Sequence, residues 1–471
     1  MSALTIREVL TLLERNEALA RDTINMVPSE ACTSPLTRLP LLLDVYHRYF
    51  FNDRELPTDW HFRGSQGVAA LETRLSIVLL QELAAASFVN VRPLSGLNGM
   101  TLIMSGLAGP PGSTVMCLAL QQGGHYATPH IAKRLGLEPC FITGPDAHTI
   151  DYDGVCRTIE LERPGLVYVD QSNCLFPIDV AELVAAVRSV APDTLVHVDV
   201  SQLLGLVLGR QLPNPLELGA DSFGGSTHKT FPGPQKAIFA TNREDLAERV
   251  RSAQMFMISS HHFAASIALG IALLEFKECG GSEYARRVVE NTRRLGAELA
   301  ARGIDVEAQE RGFSAGHQLW LKTASSGVDA FEASDRLYDS GLRVNAFPFL
   351  PGIREPCIRI GTNEATYHGL TSEDMPELAD IFAAAVFDRA DTSELATHTA
   401  DLRRRYRLPF AYRPEDPALS DRVAWIVRHA LEVDPFVGVG HGESRDGRAW
   451  LGRTLDLVGA RGAADHGDAD A

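Results

Sequence analysis

A chain of 471 residues is too long for one compact core, so two domains are expected. Apolar content of 45 % and charged content of 22 % are ordinary for a globular protein, and the net charge of −16 argues against nucleic acid, which needs a basic surface. No charged leader with an apolar run opens the chain and no stretch approaches about 18 uninterrupted apolar residues, so neither a signal peptide nor a membrane span is expected; seven scattered cysteines without CxxC spacing read as reduced thiols of a cytoplasmic protein and offer no metal site.

Residues 4–21 read as an amphipathic helix, followed by a polar arm over 25–35. Residues 68–83 carry helical periodicity, 88–93 read as extended, and 100–107 as an apolar helix. Strands are predicted at 113–118, 166–170, 195–199 and 236–241, with a strand edge at 221–223 and a helix over 180–190. This alternation predicts an α/β fold with a mainly parallel sheet covered by helices. An apolar helix over 264–277 stops at Cys279-Gly280-Gly281, a C-cap signal. A second α/β region holds a helix over 284–302, strands near 317–322 and 343–345, and a helix over 373–388. The expected division is an N-terminal helix and arm (1–35), a large domain (36–281), a smaller C-terminal domain with an added segment (282–437), and a Gly, Ala and Asp-rich tail (438–471) expected to be disordered.

Only five of the 44 basic residues are lysines, and two, Lys229 and Lys236, lie in the run Ser226-Thr227-His228-Lys229-Thr230-Phe231-Pro232-Gly233-Pro234-Gln235-Lys236. Arginine stays protonated, whereas a desolvated lysine can attack a carbonyl, so Lys229 is a candidate Schiff-base lysine. Asp199 ends a predicted strand, where ligands gather in open α/β sheets; it either caps the next helix or holds a protonated pyridine nitrogen. Ser95-Gly96-Leu97-Asn98-Gly99 opens a helix whose free N–H groups form a phosphate seat. Gly123-Gly124-His125 offers close backbone approach and an imidazole that can stack on a ring. Ser172, in Asp170-Gln171-Ser172, is placed to donate to a ring substituent. Arg359 lies among apolar residues on a predicted strand, and its planar fork fits a carboxylate, with a buried salt bridge as the alternative.

With these residues in hand, the chain resembles the fold-type I pyridoxal-phosphate enzymes of the serine hydroxymethyltransferase group over most of its length. Asn25-Met26-Val27-Pro28-Ser29-Glu30, Ser95-Gly96, Gly123-Gly124-His125, Asp199, Thr227-His228-Lys229-Thr230 and Arg359-Ile360-Gly361-Thr362 fall in that group's order. The resemblance implies pyridoxal 5'-phosphate as an internal aldimine on Lys229, Asp199 on the pyridine nitrogen and His125 stacked on the ring. It further implies Ser95, Gly96, Leu97, Ser172, Gln202, Thr227 and His228 around the cofactor, with Ser29 and Arg359 on the substrate carboxylate. It implies a homodimer in which residues at Ser259-Ser260-His261-His262 reach the neighbouring subunit's phosphate; here they replace the group's usual glycines, so Ser259 and Ser260 either donate to that phosphate or belong to a solvated loop. Two departures stand out. The group's Glu after the arm falls at Phe51 or Arg48, with Asp53 and Glu55 the nearest carboxylates, and its His three residues past the pyridine-binding Asp is Gln202.

Tyr46-His47, Trp60-His61-Phe62, Asp170-Gln171-Ser172, the run from Thr227 to Lys236 and Leu408-Pro409-Phe410-Ala411-Tyr412 look more like the threonine transaldolases of natural-product pathways. That likeness implies cleavage of L-threonine to acetaldehyde and a glycine quinonoid, which adds to a second aldehyde and gives a β-hydroxy-α-amino acid. His125, Tyr49 (or Tyr46 in a shifted register) and a water are candidate bases for the β-hydroxyl proton. Glycine or serine as donor stays open, as do a folate-dependent hydroxymethyltransferase, a simple aldolase and a non-catalytic protein of the same fold. Phe50, Phe51, Trp60 and Phe347 suggest an apolar or aromatic acceptor.

Overall fold

The computed structural model describes residues 3–52, 56, 58 and 60–431. Its strands are β1 (Ile24–Asn25), β2 (Phe88–Asn90), β3 (Thr114–Leu118), β4 (Glu138–Ile142), β5 (Leu166–Asp170), β6 (Leu195–Asp199), β7 (Ser222–Ser226), β8 (Ala237–Thr241), β9 (Gln318–Leu321), β10 (Leu342–Arg343), β11 (Asn345–Phe347) and β12 (Cys357–Gly361). Seven of them form one sheet in the order β2-β8-β7-β6-β5-β3-β4. Strands β7, β6, β5, β3 and β4 run parallel, and β8 runs against both of its neighbours, β7 and β2. Every residue of β5, β6 and β7 is buried, as expected of parallel strands covered on both faces. The expected α/β architecture with a mainly parallel sheet is therefore what the chain forms.

Strands β11, β12 and β9 make a second, antiparallel sheet. Leu295, Leu319, Ile358, Ile360 and Phe382 pack in the core beside it. The stretch expected as one strand at 343–345 is divided: β10 pairs in parallel with β1, while β11 pairs with β12. The arm thus begins as a strand, with Ile24 opposite Leu342 and Asn25 opposite Arg343.

The helix expected over 68–83 is broken into a 3-10 turn (Arg63–Val68), a π-helix (Leu71–Ser76) and an α-helix (Ile77–Ala84). The widened turn has local causes. The Ser76 hydroxyl donates to Leu71 O five residues back, at 2.9 Å, and Glu72 is drawn fully inside to meet Arg92 and His261. The first helix, Ile6–Asp22, starts at a Thr5–Glu8 capping box and buries none of its residues. The added segment holds helices Thr392–Arg404 and Ser420–Ala430. The expected disordered tail, 438–471, lies outside the described residues, as do Asp53 and Glu55. No helix among the described residues is long and apolar enough to cross a membrane.

Candidate active site

Parallel strands deliver their carboxyl ends to one edge of the sheet, and there the expected residues meet. A cavity of about 300 Å³ is lined by Ser95, Gly96, Leu97, His125, Asp170, Ser172, Asp199, Gln202, His228 and Lys229, among others. Nine residues named from the sequence as catalytic or cofactor-binding therefore share one wall system. Burial lowers the Lys229 ammonium below lysine's ordinary range; the Asp199 carboxylate opposes this and the Arg359 cation adds to it. That is the condition for an amine that must lose its proton to attack.

Asp170 and Asp199 end adjacent strands at the same register. They are kept distinct by their partners. Asp199 accepts from Tyr168 Oη at 2.9 Å and from Ser201 N at 2.8 Å. Burial pushes the Tyr168 hydroxyl well above its usual range, and Asp199 adds to the shift, so it stays a donor. Asp170 accepts from the Thr128 hydroxyl, while its Oδ1 is buried without a partner. Burial pushes its carboxyl well up, and the Asp199 carboxylate pushes further. Tyr168, Thr128 and Ser201 were not legible as site residues. The available signal was period two along β5, which sets Tyr168 on the same face as Asp170.

Ser95 caps the helix Gly96–Leu107, accepting from Asn98 N at 3.3 Å. A Cβ at Gly96 would stand 2.3 Å from Ser226 Oγ, so any larger residue must push that hydroxyl aside between this helix start and the Lys229 loop. Burial pushes the His228 imidazole down to about 4, and its Nδ1 is buried without a partner. The glycines before His125 serve a different purpose from the expected one. Gly123 has φ of +87°, and a Cβ there would lie 1.9 Å from Asn173 O. The close approach is that of the 172–173 backbone, whose N–H groups donate to Gly123 O at 2.9 and 3.0 Å. Burial lowers the His125 imidazole, as does the Lys229 cation. Its Nδ1 accepts from Ala127 N at 3.1 Å, so in the neutral ring Nε2 carries the hydrogen. In that tautomer His125 presents a donor at Nε2 rather than a base.

Arg359 is buried on β12, donating to Asn173 Oδ1 and, at 3.1 Å, to Asn345 Oδ1; its guanidinium lies 4.7 Å over the Phe347 ring. Burial pushes it down to about 10. Its partners among the described residues are neutral amides, not a carboxylate, so no buried salt bridge forms there and an anion is still wanted. Ser29 is half-buried on the arm. The arm is joined to the lysine loop by Asn363, whose Nδ2 donates to Glu30 O at 2.6 Å and to Lys229 O at 3.1 Å.

Other expected residues stand elsewhere. The Thr227 hydroxyl is spent on its own loop, donating to Pro234 O and accepting from Lys236 N, and it does not line the cavity. Tyr46 and Tyr49 are exposed, Tyr49 stacking with Phe51 and Phe62 at 5.8 and 5.2 Å. Ser259 is exposed and Ser260 half-buried. Phe50 is a core residue against Phe263 and forms no acceptor pocket, while Phe347 is half-buried beneath the Arg359 guanidinium. At the two positions that correspond to the group's Glu, Phe51 is in the exposed aromatic cluster and Arg48 pairs with Asp44. Cys32, Glu364 and His368 converge, but Arg403 already sits 2.8 Å from His368 Nδ1 and supplies the cation there.

The cavity fits pyridoxal phosphate on its own chemistry: a desolvated amine, a strand-end carboxylate, an imidazole wall, orphaned buried polar atoms and a glycine-narrowed helix start. Ser95, Gly96 and His228 would hold the phosphate, Asp199 the ring nitrogen and Lys229 the carbonyl carbon.

Comparison with known proteins agrees. The pattern of the serine hydroxymethyltransferase family matches residues 4–382. An L-threonine:uridine-5'-aldehyde transaldolase of a Streptomyces species is 41 % identical over 409 residues, covering 86 % of this chain and 98 % of that one. A serine hydroxymethyltransferase of Methanopyrus kandleri is 33 % identical, covering 85 % and 94 %. The crystal structure of an L-threonine transaldolase from Pseudomonas fluorescens in its internal aldimine state superposes with a TM-score of 0.79 at 23 % identity, covering 90 % and 97 %, which speaks to the fold. With four-fifths of its length matched, and with lysine, aspartate and helix start converging as that cofactor requires, the chain belongs to the serine hydroxymethyltransferase family of pyridoxal-phosphate enzymes.

Proposed function

We propose that the chain is an L-threonine transaldolase whose acceptor is a nucleoside 5'-aldehyde of the uridine-5'-aldehyde type. The carrying observation is the 41 % identity over 98 % of a transaldolase named for that pair of substrates. Overall, the Cα–Cβ bond of threonine breaks to release acetaldehyde, and a new Cα–C bond forms to the acceptor carbonyl, giving a β-hydroxy-α-amino acid. Pyridoxal phosphate, when bound, supplies the electron sink that stabilises the carbanion at Cα. The chain's residues do the rest. Arg359, its fork pre-set by Asn173, Asn345 and Phe347, grips the amino-acid carboxylate. Asp199, fixed by Tyr168 and Ser201, holds a proton on the ring nitrogen. His125 walls the ring. It also borders a second cavity of about 370 Å³ with Leu120, Tyr126, His130 and Phe141, roomy enough for an acceptor larger than acetaldehyde.

The absence of a carboxylate at Phe51 and Arg48 supports aldehyde transfer over folate chemistry. We also propose that a second copy of the chain covers the exposed Tyr46, Tyr49, Phe51, Phe62 and Phe256 and the uncovered apolar face of helix Ile6–Asp22. Pairing would bring Tyr49, Ser259 and Ser260 to the partner's cavity. The test is incubation with L-threonine and uridine-5'-aldehyde beside a panel of aryl aldehydes, reading acetaldehyde and the amino-acid product by mass spectrometry. Glycine released without an acceptor marks an aldolase, and turnover that requires tetrahydrofolate marks a hydroxymethyltransferase. Either result sinks the proposal.

A further inference from the structure

Gln202 is where this chain lacks the family's imidazole, and its surroundings fix which way its amide points. Trp320 Nε1 can only donate, and it lies 3.3 Å from Gln318 Oε1. Gln318 therefore turns its Nε2 the other way, toward Ser172 O at 3.2 Å and Gln202 Oε1 at 3.3 Å. Ser172 O can only accept, so both ends of Gln318 give the same assignment. Gln202 must then use its oxygen on Gln318 and keep both N–H donors of its Nε2 for the cavity it lines. Gln318 and Trp320 are fully buried and Gln202 is 3 % exposed, so none can flip at the expense of water. The main chain is held as well: Gln202 O accepts from the Thr230 hydroxyl at 2.9 Å, one residue past Lys229.

We propose that Trp320 and Gln318 are positioning residues that lock Gln202 as a neutral, non-titrating double donor onto the ring oxygen of the bound cofactor. The argument rests on the pyridoxal-phosphate reading and proceeds by elimination. The helix start takes the phosphate, Asp199 the ring nitrogen and Lys229 the carbonyl carbon. The ring oxygen is the polar atom left over; of the donors that remain in the cavity, the Ser172 hydroxyl can rotate, whereas the Gln202 amide is fixed by buried partners with its N–H groups toward the cavity. An imidazole in this place can exchange roles with pH, donating, accepting or carrying charge; a locked amide cannot. Trp320 also pairs in register with Arg359 on β12, so the strands that present the carboxylate-binding fork also set the polarity of the Gln202 amide.

The measurement is the pH titration of the absorbance band of the cofactor bound at Lys229, with the cofactor dissociation constant determined alongside. Gln202→Leu removes the donor and sets the size of the effect. Gln318→Glu still accepts from Trp320 and, once ionised, has nothing to donate, so Gln202 then turns its NH₂ to the new carboxylate and shows its oxygen to the ring. Gln318→Glu is expected to move the titration midpoint by about one pH unit, a tenfold change in proton affinity, and to weaken cofactor binding about tenfold. Trp320→Phe, which keeps the ring and loses the donor, should move the midpoint the same way by less. In a Gln202→Leu background the Trp320→Phe shift should vanish and Gln318→Glu should keep only the part due to its own charge, which mere loss of packing would not produce. If Gln318→Glu does not fold, Trp320→Phe and Gln202→Leu decide the matter. Unchanged midpoints in both overturn the lock. Failure of borohydride to fix cofactor on Lys229 of the unaltered protein overturns the cofactor reading instead.

Discussion

Lys236 is fully buried, and its Nζ donates to His261 O at 2.8 Å and Arg92 O at 3.4 Å. The charged groups that face it are Glu72, Arg92 and His261. Glu72 is tied to Arg92 at 2.8 Å and to His261 at 2.7 Å. Burial, only partly offset by Glu72, lowers the lysine from 10.5 to about 7. At 1.36 kcal/mol per pH unit, that lowering is worth about 5 kcal/mol. The folded state disfavours the ammonium, so the unfolded chain binds more protons between pH 7 and 10.5. Stability therefore rises through that window, and the full cost is carried below pH 7. Lys236→Met removes the cost and loses two hydrogen bonds, about 1 kcal/mol each. The variant should be more stable by about 3 kcal/mol at pH 6, an advantage that falls to near zero by pH 9. Its neighbours do not titrate there: Glu72 is held at about 2, and burial keeps His261 below its ordinary value. Urea unfolding at fixed protein and cofactor concentration, from pH 6 to 9, measures the difference. A stability difference that stays constant across that range, or a variant less stable at pH 6, refutes the reasoning.

The two strand-end carboxylates should respond in opposite ways to loss of charge. Asp170→Asn should change thermal stability by no more than about 1 kcal/mol, because burial and the neighbouring Asp199 both disfavour charge on that carboxyl; Asp199→Asn should lower turnover by about a hundredfold or more, about 3 kcal/mol. Arg359→Lys loses the planar fork held by Asn173 and Asn345. It should raise the KM for threonine by about ten- to a hundredfold with a smaller change in kcat, read by steady-state kinetics. Gly123→Ala forces a Cβ into Asn173 O at a left-handed φ and should cost at least about 3 kcal/mol in an unfolding measurement. A melting temperature equal to that of the unaltered protein would falsify the reading of Gly123 as a backbone-packing residue.

What could be read from the sequence, and what could not, follows from how the site is assembled. A parallel sheet sends every strand end to one edge, so Asp170, Asp199 and the Lys229 loop could be placed together from their positions alone. The groups that tune them come from contacts distant in sequence. Gln318 lies 116 residues from Gln202, and His261 lies 189 from Glu72. Nothing in local periodicity announces either pair, and each took a residue that reads as ordinary core or surface. Helical spacing even pointed the wrong way at Glu72, because an apolar repeat predicts a straight helix while a buried carboxylate seeking Arg92 and His261 rewards a π turn. Tyr49, Ser259 and Ser260 follow another logic. Their motif positions imply a role at the cofactor, yet in a single chain they face solvent or lie at its edge. A second copy whose cavity uses them, as proposed above, accounts for both facts. Exposed aromatic residues beside a correctly ordered motif thus argue for the partner subunit more directly than their apolar character alone would.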